Sequence, residues 1–160
     1  MAWRISVALT TAALAGAVLV ALAAAAPTRF VLRESVDFAG GNGPVGTFKA
    51  TGIPSCGSGK FSDSLVSFSA NSVIVDRAYT CGHRGGTFTA KMALHLSIVN
   101  QAGKQSGKGS WKIIHASGAL HGLSATGLER GVARSCAPVG TVLAKCSVGT
   151  DTVTGIRKAR

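Results

Sequence analysis

Residues 88–98, FTAKMALHLSI, alternate without a break. Phe88, Ala90, Met92, Leu94, Leu96 and Ile98 share one parity, while Thr89, Lys91, Ala93, His95 and Ser97 share the other. Successive side chains of an extended chain point to opposite faces, so the pattern predicts a strand with one apolar and one wetted face. Coiled into a helix, the same residues would set Lys91 and His95 beside Phe88 and Met92, which leaves no coherent apolar stripe. A strand of this length needs partners on both sides, and the flanking sequence offers them.

Residues 28–39 alternate in the same way, with Phe30, Leu32, Val36 and Phe38 on one face and Arg29, Arg33, Ser35 and Asp37 on the other. Glu34 falls on the apolar side. A carboxylate there must be paired, sit at a bend or line a cavity, because burying it alone is costly. Gly40-Gly41-Asn42-Gly43-Pro44 reads as a turn, since glycine and asparagine accept positive φ. A short strand over 45–52, a loop over 53–60 and a hairpin of 61–70 with 72–81 through Asn71 follow. After the turn at 82–86 comes the central strand, then a polar hairpin loop over 100–109. The next strand, 110–116, must turn Lys112 to water, which points Trp111, Ile113 and His115 inward. Strands over 124–133 and 147–158 flank a loop at 134–145. Seven or eight short strands with glycine turns and no helical stripe define an all-β domain, either an antiparallel barrel or a sandwich. The in-order hairpins favour the barrel, which leaves no open edge.

The chain opens with one basic residue, Arg4, and an apolar run ending in Ala23-Ala24-Ala25-Ala26. That is the build of a secretory signal peptide, expected to span residues 1–25 and to be cleaved, leaving one domain over 26–160. An uncleaved membrane anchor is the alternative. The expected location is extracellular or in the cell envelope. The four cysteines, Cys56, Cys81, Cys136 and Cys146, all follow the leader, and an even count in an exported chain reads as two disulfides. Of the three pairings, Cys56–Cys81 and Cys136–Cys146 join neighbouring segments without crossing the fold. Zinc is disfavoured because no C-x2–4-C pair exists. Past the leader, sixteen basic side chains face six acidic ones. Such a balance suits anionic envelope polymers as partners, although the cations are scattered along the chain.

The run Gly109–Gly127, GSWKIIHASGALHGLSATG, resembles a recurring element of bacterial proteins in the dirigent and allene-oxide-cyclase-like barrel superfamily. There a G-x-W-x-[VI]-[VI] strand leads into a glycine-rich turn and returns. Ala116, Leu120 and Ala125 depart from the usual glycine, aromatic and glycine. The resemblance covers about forty residues and implies an eight-stranded calycin-like barrel, often with an internal cavity. It carries over no catalytic residue.

Interior positions expected to meet a ligand are Glu34, His115, Tyr79 and Trp111, with Arg77 as a further inward candidate. The first reading of function is a non-enzymatic secreted barrel that holds a small, largely apolar ligand in its interior or mouth. An extracellular isomerase or cyclase-like enzyme using Glu34 and His115 is the alternative, as is a basic module adhering to anionic envelope polymers. No metal or cofactor is called for, no specific nucleic acid is expected, and the oligomeric state is left open. His83, His95 and His121 fall at turns or on a polar face, without metal-ligand spacing.

Overall fold

The computed structural model describes residues 27–39, 43–83, 85–142 and 144–157. The predicted leader lies outside them. Eight strands follow one another: β1 (Thr28–Asp37), β2 (Val45–Thr51), β3 (Ser58–Ser69), β4 (Ser72–Cys81), β5 (Thr87–Leu96), β6 (Gln105–Ser117), β7 (Ala125–Arg134) and β8 (Val148–Arg157). Each pairs antiparallel with the next, and β8 returns to β1 to close a barrel in sequence order. The barrel, and not the sandwich, is formed.

Alternation decides what goes inside. Phe30, Leu32, Glu34 and Val36 of β1 point inward, as do Val75, Arg77, Tyr79 and Cys81 of β4 and Phe88, Ala90 and Met92 of β5. The facing wall is built differently. On β7 the inner row is Ala125, Gly127, Glu129, Gly131 and Ala133, and on β8 it is Gly149, Asp151, Val153 and Gly155. Missing side chains on that wall leave the space that large ones on the other wall fill. A Cβ on Gly155 would lie 2.4 Å from the Trp111 ring, and one on Gly149 would lie 2.8 Å from the Phe38 ring. The aromatic layer is continuous: Tyr79 stacks on Phe88 with centroids 4.3 Å apart and meets Phe48 edge-on at 5.2 Å.

The two ends are closed unequally. At the lower end a 3-10 turn, Gly118–Leu120, presses the buried Leu120 into the barrel. There the Cys56–Cys81 disulfide ties the loop after β2 to the end of β4. At the upper end the Cys136–Cys146 disulfide clips the β7–β8 loop. That loop is held by Val99 N–H donating to Thr141 O at 2.8 Å and Gly140 N–H donating to Val99 O at 2.9 Å. Gln105, buried, adds Nε2 hydrogen bonds to Ser97 O and Val142 O at 2.9 and 2.8 Å. Both disulfides are those favoured from cysteine spacing.

Three local expectations fail, each for a geometric reason. β5 ends at Leu96, and Ile98 is 59% exposed, because the chain leaves the barrel rim there to meet the β7–β8 loop. β6 begins at Gln105, inside the expected polar loop, since residues 105–109 pair with β7 and residues 107–109 pair with β5 as well. His115 faces solvent and not the interior. A bulge sets Ile113 opposite Ala90 but His115 opposite Thr89, so Ile114 has no counterpart and the parity of the strand reverses beyond it.

Gly155→Ala forces a methyl into the Trp111 ring and should cost about 1–3 kcal/mol of unfolding free energy. Gly57→Ala, at an exposed glycine with nothing within 4 Å of the added carbon, should stay within about 0.5 kcal/mol. Urea denaturation of the two variants checks the pair.

Candidate functional site

Above the aromatic layer the barrel interior turns polar. Arg77 enters from β4 and is 3% exposed. Its Nε and Nη2 donate to the two carboxylate oxygens of Asp63 on β3 at 2.6 and 2.7 Å, a fork-to-fork contact. Its Nη1 donates to Glu34 on β1, to Glu129 Oε1 on β7 at 3.2 Å and to Asp151 Oδ2 on β8 at 3.1 Å. The guanidinium carbon lies 4.5 Å from the Phe61 ring centroid, a cation–π contact. Tyr79 Oη donates to Glu34 Oε1 at 2.6 Å. One cation thus binds four strands around itself.

Each member reaches the centre because its strand turns that position inward. Asp63 follows Phe61 by two residues, Asp151 precedes Val153 by two, and Glu129 shares the parity of Ala125. Glycine makes the room: a Cβ on Gly131 would sit 1.9 Å from Asp151 Oδ1, so only a residue without one lets that carboxylate lie against β7.

Four carboxyls surround a single guanidinium, an excess that a low-dielectric interior does not tolerate fully ionised. Burial pushes the Glu34 carboxyl up to about 7, against the opposing pull of Arg77 and the Tyr79 hydrogen bond. Glu129 is pushed up to about 8, first by burial, with Arg77 opposing and the neighbouring Asp151 adding to the rise. Tyr79 is held well above the ordinary phenol range by burial and by Glu34. Burial works against the Arg77 charge, but Asp63 and Glu34 overcome it and keep its pKa well above the usual value. Near neutral pH the cluster therefore stores protons on Glu34 and Glu129. Glu129 Oε2 is buried with no hydrogen-bond partner.

Glu34, Glu129 and Asp151 bring carboxylate oxygens within 4.8 Å of one another, the arrangement of a cation site. Arg77 Nη1 contacts all three, so the guanidinium already stands where a metal would bind.

A cavity of about 190 Å³ opens above the cluster at the upper end of the barrel. Its walls include Phe38, Val73, Val75, Leu94 and Leu96, and Asp63, Arg77, Glu129 and Asp151 form its polar floor. Of the side chains expected from sequence to meet a ligand, Glu34 and Tyr79 lie beneath this floor in the packed interior. Trp111 packs lower still, edge-on to Phe30 at 5.2 Å, with Nε1 donating to Thr154 O at 3.1 Å. His115 is outside the barrel wall, so the anticipated Glu34–His115 pair is not formed. Asp63, Glu129 and Asp151 were missed, although each shares parity with an apolar neighbour two or four residues away on its own strand.

Compared with known proteins, the chain matches no family model, no curated sequence and no solved structure.

Glu34 and Glu129 hold protons more tightly in the folded chain than in the unfolded one. Folding therefore takes up protons between about pH 4.5 and 8, and stability falls as pH rises through that window. Thermal unfolding followed from pH 5 to 8 should show a loss on the order of a few kcal/mol, and Glu129→Gln should flatten the profile. Arg77→Met removes the one neutralising cation and should cost about 3–5 kcal/mol at pH 7, again measurable by denaturant titration.

Proposed function

We propose that the barrel is a non-enzymatic binding protein whose mouth takes a small, largely apolar molecule with a cationic head. The observation that carries this reading is the cavity itself: apolar walls ending on a floor with more carboxyls than cations. Its volume slightly exceeds the roughly 150 Å³ of a cavity that accommodates benzene, so one ring or a short branched chain fits. An ammonium group lowered to the floor meets the Glu129 carboxyl and takes the place of the proton that otherwise offsets the crowding of negative charge there. Binding then draws the proton from Glu129, because a cation beside a carboxyl favours its ionised form.

Two disulfides support an oxidising, extracellular setting, and among the described residues no helix is long and apolar enough to cross a membrane. Secretion by way of the predicted leader belongs to this proposal. So does kinship with the dirigent and allene-oxide-cyclase-like barrels, which the closed in-order eight-stranded topology supports. The enzymatic alternative loses its catalytic pair, with Glu34 inside the wall and His115 outside.

Calorimetric titration with benzylamine, benzyl alcohol and benzoate tests the reading. The amine should bind most tightly, with affinity rising between pH 6 and 8 as Glu129 ionises, and benzoate should not bind. Val73→Trp, which fills the mouth, should abolish the heat. Equal binding of amine and benzoate, or binding unaffected by Val73→Trp, would sink the proposal.

A further inference from the structure

The cations that look scattered in the sequence are gathered by the barrel's register. Lys49 on β2 stands directly opposite Arg33 on β1, and Arg33 stands opposite Thr152 on β8. Thr152 faces Arg130 on β7, and Arg130 faces Lys108 on β6. Lys108 in turn faces His95 on β5. All of these side chains point outward and are exposed. One row of directly paired positions thus carries Lys49, Arg33, Arg130, Lys108 and His95 across the outer surface. With neighbouring strands about 4.8 Å apart, the row runs about 19 Å along the wall from Lys49 to Lys108, half way round the closed barrel from β2 to β6, so a polymer that follows it wraps the outside.

At one end the row enters a shallow depression of about 970 Å³ on the outer face, lined by Arg33, Lys49 and Lys60. Hydroxyls of Ser35, Thr47, Ser58, Thr80, Thr150 and Thr152 surround those three cations. Acids do not balance them. Of the protein's six, Glu34, Asp63, Glu129 and Asp151 are turned into the barrel, Asp76 pairs with Lys91 at 2.9 Å, and Asp37 accepts from Ala39 N–H at 2.8 Å. Among the described residues, no carboxylate lies within salt-bridge distance of Arg33, Lys49, Lys60, Lys108 or Arg130. Like charges directly opposite on adjacent strands destabilise a sheet, and Arg33–Lys49 and Arg130–Lys108 are two such pairs.

We infer that this outer row, with the depression at its end, is a binding surface for an acidic polysaccharide. The cations meet the carboxylate or sulfate groups, and the Ser and Thr side chains hydrogen-bond the sugar hydroxyls. A single-stranded nucleic acid fits less well, because it calls for exposed aromatic side chains on which bases stack. Phe48, which lines the depression beside Glu34 and Asp151, is buried, and the exposed side chains there and along the row are cations, hydroxyls and one imidazole. The surface lies on the outer side of the wall and does not depend on the mouth being occupied.

The test measures binding of a heparin oligosaccharide, polygalacturonate and an oligothymidylate of matched charge, each at 0.05 and 0.2 M salt. Three proteins are compared: wild type, the triple variant Arg33→Ser/Lys49→Ser/Arg130→Ser, and Lys104→Ser/Lys112→Ser/Lys145→Ser, which removes the same charge away from the row. Both variants alter exposed side chains, and their thermal unfolding verifies the fold. At least one polysaccharide should bind the wild type more tightly than the oligothymidylate and weaken with salt. The row variant should lose on the order of tenfold or more, while the off-row variant stays within about threefold. Equal losses in the two variants, tighter binding of the oligothymidylate, or no binding of either polysaccharide at low salt would overturn the inference. Benzylamine titration of the row variant should match wild type, which separates this surface from the mouth.

Discussion

A single guanidinium in the middle of a barrel sets the terms for the rest of this structure. Arg77 is buried away from bulk solvent, so carboxylates must offset its charge, and they come from β1, β3, β7 and β8. The approach of four acids to one cation overcompensates, and the excess is relieved by protons on Glu34 and Glu129. Aromatic rings below and an apolar mouth above confine this polar layer to one level of the barrel. The wall of β7 and β8 is stripped to glycine and alanine around Glu129 and Asp151, because the carboxylates and the guanidinium need the volume. Replacing the whole set by apolar residues of similar bulk is often neutral or stabilising, whereas removing one partner alone leaves a buried charge uncompensated.

Parity is what the sequence shows most clearly. The central strand, the first strand and the inward setting of Glu34, Arg77 and Tyr79 were legible because each alternates against large apolar neighbours. β7 and β8 were legible as strands but not as walls: with inner rows of Ala-Gly-Glu-Gly-Ala and Gly-Asp-Val-Gly, neither face announces itself as buried, and Glu129 and Asp151 pass for surface acids. His115 was misplaced by one extra residue at Ile114, since a bulge reverses every assignment beyond it. The outer row of cations was illegible for another reason. Lys49, Arg33, Arg130 and Lys108 are far apart along the chain, and only strand register brings them abreast.

Inside and outside are linked by how few acids the chain has. Each carboxylate that turns inward to Arg77 is one fewer to offset the Lys and Arg side chains on the surface. The inner cluster and the bare cationic exterior are thus two results of one distribution of charge.

The spread of Arg77's partners along the chain bears on how the barrel comes together. Asp63 is 14 residues away from Arg77, Glu34 43, Glu129 52 and Asp151 74. A hairpin of β3 and β4 can satisfy one side of the guanidinium early, but the other side waits for the two ends of the sheet to meet. A partly assembled sheet that dried this position would strand a charge, so water stays until β8 docks on β1. Such dependence on distant contacts belongs to slow, cooperative folding. Closure of the barrel and exclusion of water from its centre become a single event, with the arginine as the latch.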